Sequence, residues 1–199
     1  STRRICFEYK EKYSFIKYFR NEKNYGAYFN FINVLRLSKG KYFMWLGDDD
    51  FISEGYISKC VSHLINDKSI SLAIGNTFLK NRNYKLERKI SGYLDNEVLI
   101  RLMKYYQNPH LNSPTYGLFE RSFFKESFMP NTFSNDWHFV ANLLCKGKFI
   151  VDHNIFIMRS EFGAAAKIND LYKLYKIPKI MGFIPLTPLF FIVNSFLKM

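Results

Sequence analysis

An α/β fold, with a mixed, mostly parallel sheet flanked by helices, is the class this sequence predicts, and three observations predict it. Strand-like and helix-like stretches alternate through the first half of the chain, as in units that carry a helix between parallel strands. The stretch KYFMWLG, residues 41–47, is apolar without alternation, the pattern of a strand covered on both faces. The chain's 199 residues, 48% hydrophobic and 23% charged, supply one domain with a sizeable core and exclude a disordered chain.

The elements follow in order. Residues up to about Lys12 are polar and carry no clear pattern. SFIKYFR (14–20) is rich in β-prone residues and reads as a short strand. NEKNYGA (21–27) is a turn, because Asn24 and Gly26 tolerate left-handed backbone angles. From Ala27 to Ser38 the apolar positions Phe31, Val34, Leu35 and Leu37 suit one helix face, stopped by Lys39-Gly40. The apolar strand 41–47 comes next. Ser53 with Glu54 then opens a helix carrying Tyr56, Ile57, Val61, Leu64 and Ile65. ISLAIGNTFL (70–79) is a strand, and KNRNYKLERK (80–89) a loop or hairpin arm. Asp95 caps a helix reaching about Tyr106, NPHLNSP (108–114) is irregular, and TYGLFE (115–120) is a short strand. Ser134 caps a helix through Cys145, stopped by Lys146-Gly147, and KFIVDHNIFIMRS (148–160) offers one or two strands.

Charge narrows the partners. With 29 basic and 17 acidic residues the chain carries a net +12, a field that favours nucleic acid, phosphorylated small molecules or an acidic membrane surface. No RNA-binding sheet motif or helix-turn-helix signature is visible, and the basic residues are scattered, so nucleic acid is not expected as a partner. Cys6, Cys60 and Cys145 are far apart, which excludes a disulfide framework and a zinc site and fits a reducing, cytoplasmic compartment. STRRICFEYK has no apolar core after its basic residues, so no signal peptide is expected, and the missing initiator Met suggests a fragment.

The apolar strand stops at three carboxylates, Asp48, Asp49 and Asp50. Adjacent carboxylates repel one another, and something has to offset that repulsion. A hard divalent cation does so, because Mg²⁺ and similar ions take one or two carboxylates plus substrate phosphates. The metal can then neutralise charge building on a departing diphosphate. The plain alternative is a solvated acidic turn in which Asp50 caps the next helix. In parallel sheets ligands sit beyond the carboxyl ends of strands, where this triplet lies.

NEKNYGAYFNFINVLRLSKGKYFMWLGDDDFISEGYI (21–57) resembles the family 2 glycosyltransferases of the GT-A fold. The resemblance rests on the order and spacing of Asn24-Tyr25-Gly26, Asn30, Gly40-Lys41-Tyr42 and the DxD-type triplet Asp48–Asp50. A second block, SNDWHFVANLLCKGKFI (134–150), matches the acidic pair that opens a later helix, with Asn135 in place of the usual Glu and Asp136 retained. The resemblance implies a nucleotide-sugar donor, Mn²⁺ or Mg²⁺ held by Asp49 and Asp50 with Asp48 beside them, and Asp136 as the base that deprotonates an acceptor hydroxyl. It implies a donor-side role for the Asn24-Gly26 turn and a place near the pyrophosphate for Arg159, in FIMRSEFGAAA. An ordinary helix cap is the other reading of Asp136, and a surface ion-pair partner that of Arg159. The family's opening strand-helix-strand, which holds the nucleotide base, has no counterpart at the head of this chain. A GT-A-like, Rossmann-like sheet truncated at its N-terminus is the expectation that follows.

The remaining motifs divide the chain. Residues 1–165 read as the partial glycosyltransferase domain. Residues 166–199 form a tail, in which Lys167, Lys173, Lys176 and Lys179 precede the uncharged run IMGFIPLTPLFFIVNSFL (180–197). Basic residues ahead of an apolar segment suit an anionic bilayer, on the inner face of the cell membrane, and a glycan or lipid-linked acceptor there. A tail packed on the domain is the alternative. His153 beside Asp152 is either a further metal ligand or a plain strand-end pair, Trp45 reads as core, and Trp137 either stacks on a sugar or anchors its helix. Against the enzyme stands a non-catalytic relative that keeps the sheet and acts as a membrane-associated partner.

Overall fold

The computed structural model describes residues 2–80, 85–88, 90–107, 113–131 and 135–160. His110, Ser134 and the tail 166–199 lie outside the described residues. Among the described residues five α-helices, α1 (Thr2–Lys12), α2 (Ala27–Leu37), α3 (Tyr56–Asn66), α4 (Val98–Gln107) and α5 (Asn135–Lys146), accompany one sheet. Its strands are β1 (Tyr42–Phe43), β2 (Phe51–Ile52), β3 (Ile70–Lys80), β4 (Lys85–Arg88), β5 (Leu118–Glu120) and β6 (Lys148–Ser160). The order is β1-β5-β3-β6-β2, with β4 paired to the far end of β3.

The α/β class and the mixed sheet are as the sequence predicts, but the balance of directions differs. The long central pair β3–β6 is parallel. The short strands β1, β2, β4 and β5 all attach by antiparallel ladders. The helix between β2 and β3 explains part of this. Because β2 lies beyond β6 and antiparallel to it, α3 joins two strands of opposite direction and does not complete a parallel unit.

Two other elements differ from expectation. Residues 14–20 form no strand, and Phe15 and Phe19 stand exposed. Among the described residues their β-prone composition pairs with no sheet edge, and strand propensity expresses packing against neighbours rather than a backbone preference. The patternless first residues instead form α1, which buries none of its side chains. The apolar run 41–47 is a strand only at Tyr42–Phe43, after which the chain leaves the ladder. In α2 the buried positions are Ile32 and Leu35, with Val34 and Leu37 turned outward. The helix α3 begins later than Ser53: Gly55, at φ +72°, forms the left-handed step before it. The Ser53 hydroxyl instead accepts a bond from the Phe156 amide at 3.0 Å, tying this turn to β6.

The core uses part of the aromatic content. Trp45, as expected, is buried, with ring centroids 5.0 Å from Phe43, 5.1 Å from Phe139 and 5.9 Å from Phe119. Such edge-on and tilted pairs contribute about 0.5–1.5 kcal/mol each beyond the area they bury. Its indole N–H donates to the Phe31 carbonyl at 3.0 Å, so α2 is pinned one turn from its start against the end of β1. On the other flank the buried Arg101 of α4 donates to the Leu144 carbonyl at 2.9 Å. A cation there meets the negative end of the α5 dipole.

Strand direction decides where the functional residues fall. β1, β3 and β6 run the same way, so residues following β1 and ending β6 share the sheet's carboxyl side. β5 runs oppositely, so its start, at Tyr116–Gly117, faces that side too. The helix α5 leads directly into the start of β6 and therefore begins, at Asn135–Asp136, on the same side.

Candidate active site

The Asp triplet is a tight turn in which the Asp50 amide donates to the Gly47 carbonyl at 3.2 Å. Asp48 and Asp49 stand exposed, whereas the Asp50 side chain, only 6% exposed, turns inward. The Ser160 amide donates to Asp50 Oδ1 at 3.3 Å, and Arg159 Nε lies 3.9 Å from Asp50 Oδ2. β2, paired with β6 just below, fixes this approach. Burial raises the Asp50 pKa above the ordinary carboxylate range; Arg159 and the Ser160 amide oppose that rise, and neighbouring Asp49 adds to it.

Gly47 sits beneath both carboxylates. A Cβ there would lie 2.9 Å from Asp50 Oδ2 and 3.1 Å from Asp49 Oδ1. The missing side chain thus leaves a cradle over which two carboxylates converge. Among the described residues no group of three or more His, Cys, Asp or Glu gathers as a metal site. Two carboxylates with open positions suit a Mg²⁺- or Mn²⁺-type ion that takes its other ligands from water and substrate phosphate. The residues present therefore fit the expected cation at Asp49 and Asp50, and the raised pKa of Asp50 is what a nearby cation would relieve. His153 is not part of it: its Nδ1 pairs with Asn76 Oδ1 at 2.7 Å, while Asp152 pairs with His63 Nε2 at 2.9 Å.

Arg159 crosses from Asp50 onto the ring of Tyr116, its guanidinium carbon 3.9 Å from the ring centroid. Its Nε is buried and has no hydrogen-bond partner among the described residues. Burial pushes the Tyr116 phenol up; Arg159 opposes this, and Asp50 and Asp136 both push it further. One ring is thus within electrostatic reach of the acid turn, the arginine and the acid of α5. Asp136, in the first turn of α5, is half-buried, and its Oδ1 accepts from the Trp137 amide at 3.1 Å. Trp137 packs 5.2 Å from Tyr105 and 6.4 Å from Tyr106, so it anchors the helix.

The structure brings together Asp50, Arg159 and Tyr116, with Asp49 beside them, and Asp136 lies within electrostatic reach of the Tyr116 ring. Asp48 stays at the outer edge of the turn. Asn24 Oδ1 accepts from the Gly26 amide at 2.8 Å, and Gly26 takes φ +94°, open to glycine and strained for other residues. These two shape the start of α2. Sequence reading missed Tyr116, because TYGLFE signals only a strand and no residue pattern marks which ring face an arginine will meet. It also missed the buried polar set behind the site: Asn135, Ser113 and Thr115 are buried, with side-chain atoms that have no hydrogen-bond partner among the described residues.

Comparison with known families decides the class. The family model described as Glycosyl transferase family 2 matches residues 1–128, well over half of the chain. The chain belongs to the family 2 glycosyltransferases. The match spans the Asn24–Gly26 turn, the acid turn and Tyr116, while Asp136 and Arg159 lie beyond its end. The search of curated proteins returns no match. As a member of this family the protein is a glycosyltransferase, working between a nucleotide-sugar donor and an acceptor.

Proposed function

We propose that this glycosyltransferase moves its sugar with inversion, using Mn²⁺ or Mg²⁺ at Asp49 and Asp50 and Asp136 as the base. The observation that supports this reading is the Asp50–Arg159–Tyr116 cluster beside the acid turn, with Asp136 within electrostatic reach of the same ring. Asp49 and Asp50 would hold the cation, which supplies charge neutralisation for the donor diphosphate. Asp48, at the rim, would face the donor, and the Gly26 turn would keep the head of α2 clear beside it. Arg159 places a permanent cation where negative charge develops as the C1–oxygen bond to the diphosphate breaks. Asp136 would take the proton of the acceptor hydroxyl as that oxygen attacks C1 from the opposite face. Proton transfer of this kind contributes roughly 10²–10⁴-fold.

The acceptor in this reading is a glycan or a lipid-linked one, in surface polysaccharide or glycolipid assembly. Its support is the basic-then-apolar segment 167–199, which suits the inner, anionic face of the cell membrane. Among the described residues no helix is long and apolar enough to cross a membrane.

The test separates base from donor site. Asp136→Asn is expected to lower transfer by at least about 10²-fold while manganese-dependent binding of the donor stays within about twofold. Parallel loss of both would assign Asp136 to donor binding or to the fold instead.

A further inference from the structure

We propose that Tyr116 is a positioning residue, whose ring face holds the Arg159 guanidinium in place for the donor diphosphate. The inference rests on the diphosphate reading above and adds a residue to it. Three observations point to the ring. First, the guanidinium carbon lies 3.9 Å over its centroid, well inside the range of a cation–π contact. Second, Tyr116 is the side chain that engages Arg159 most closely, by its ring face and by a hydrogen bond. Its Nε is buried without a hydrogen-bond partner among the described residues, and the Asp50 carboxylate stands off at 3.9 Å, beyond hydrogen-bond length. Third, the backbone that carries the ring is fixed. Tyr116 ends a short 3-10 turn, Ser113–Tyr116, whose Pro114 carbonyl accepts from the Gly117 amide at 2.9 Å, and β5 then enters the sheet beside β3.

An arginine bound by bidentate hydrogen bonds to a carboxylate would have its donors spent. One stacked on a ring keeps its in-plane N–H groups available, and the planar fork matches phosphate oxygens. Stacking also restricts a long side chain before the ligand arrives, so less ordering is lost on binding. The face of the ring carries the guanidinium in the proposal and the hydroxyl, hydrogen-bonded to Arg159, adds to it; burial and the two carboxylates push the Tyr116 phenol up, so it stays protonated.

The experiment is a double-mutant cycle read by calorimetry, with inorganic pyrophosphate and Mn²⁺ as the probe on the full chain. Tyr116→Leu is expected to weaken binding about tenfold, the scale of a desolvated cation–π contact. Tyr116→Phe, which keeps the face, loses only the hydroxyl's bond to Arg159 and serves as a foldable control, should weaken binding by about threefold at most. Combined with Arg159→Ala, Tyr116→Leu should cost less than twofold further, because the ring then has nothing to hold. A Leu variant that binds as wild type, a Phe variant that fails like Leu, or an undiminished Leu effect without Arg159 would each overturn the role of Tyr116 and leave the diphosphate reading standing. A wild-type protein that binds no pyrophosphate with Mn²⁺ would overturn the diphosphate reading, and this inference with it.

Discussion

Gly47 shows how much a single missing side chain can decide. The atoms a Cβ would meet there are the ends of two Asp side chains, not backbone. Those side chains can swing aside, so Gly47→Ala should fold with little loss. They cannot swing aside and still converge. The expected result is an unchanged melting temperature, within about 2 °C, and Mn²⁺ affinity lowered about tenfold by titration calorimetry. Equal affinity would mean that the cradle over Gly47 plays no part in holding a cation. At this scale the acids were legible in the sequence because like charges packed together demand a reason. The ring of Tyr116 was not, since nothing local distinguishes an aromatic that fills a core from one that carries an arginine.

At the level of elements, the central pair β3–β6 carries an irregularity that the sequence concealed. Gly75 stands opposite Asp152 and Asn76 opposite Phe156, so residues 153–155 bulge out of the ladder. The apolar pattern over 148–160 reads as one or two strands because the bulge interrupts it, while the backbone continues as one strand. A Cβ on Gly75 would fall 2.5 Å from the Ile155 carbonyl oxygen, which is backbone and cannot rotate away. Gly75→Ala is therefore expected to destabilise by about 1–3 kcal/mol or more, read as a lower denaturation midpoint. A neutral outcome would show that the bulge can slide. The bulge matters to the site, because β6 below it ends at Arg159 and Ser160, and the register there sets their distance from Asp50. Local signals located helices with their stops well: α2 and α5 match their expected spans to within a residue. They failed where pairing decides, at residues 14–20 without a partner and at β1, which leaves the ladder after two residues.

For the molecule as a whole, two buried acids pull stability in opposite directions with pH. Burial alone would raise Asp152, but its bonds from His63 and from the Asn154 amides outweigh this and hold its pKa below the ordinary range. Its contribution is therefore present above that range and is lost as pH falls through the folded value. Asp50 is the reverse. Its pKa is raised, so between the ordinary value and the folded one the folded state binds more protons than the unfolded chain. Stability falls as pH rises through that window, and the cost remains at neutral pH. A divalent cation at Asp49 and Asp50, in the proposed role, would favour the ionised form and remove that cost. Mn²⁺ at about 100 times its dissociation constant should then stabilise the protein by about 2.7 kcal/mol, which for a chain of this size raises the melting temperature by about 5–10 °C. The gain should shrink as pH is lowered toward the raised Asp50 value, since protons compete with the metal. Asp50→Asn should melt as high as wild type without metal, or higher, and gain nothing from Mn²⁺. Scanning fluorimetry across pH with and without the ion reads all three effects, and a wild-type protein indifferent to Mn²⁺ at neutral pH would remove the metal from this site.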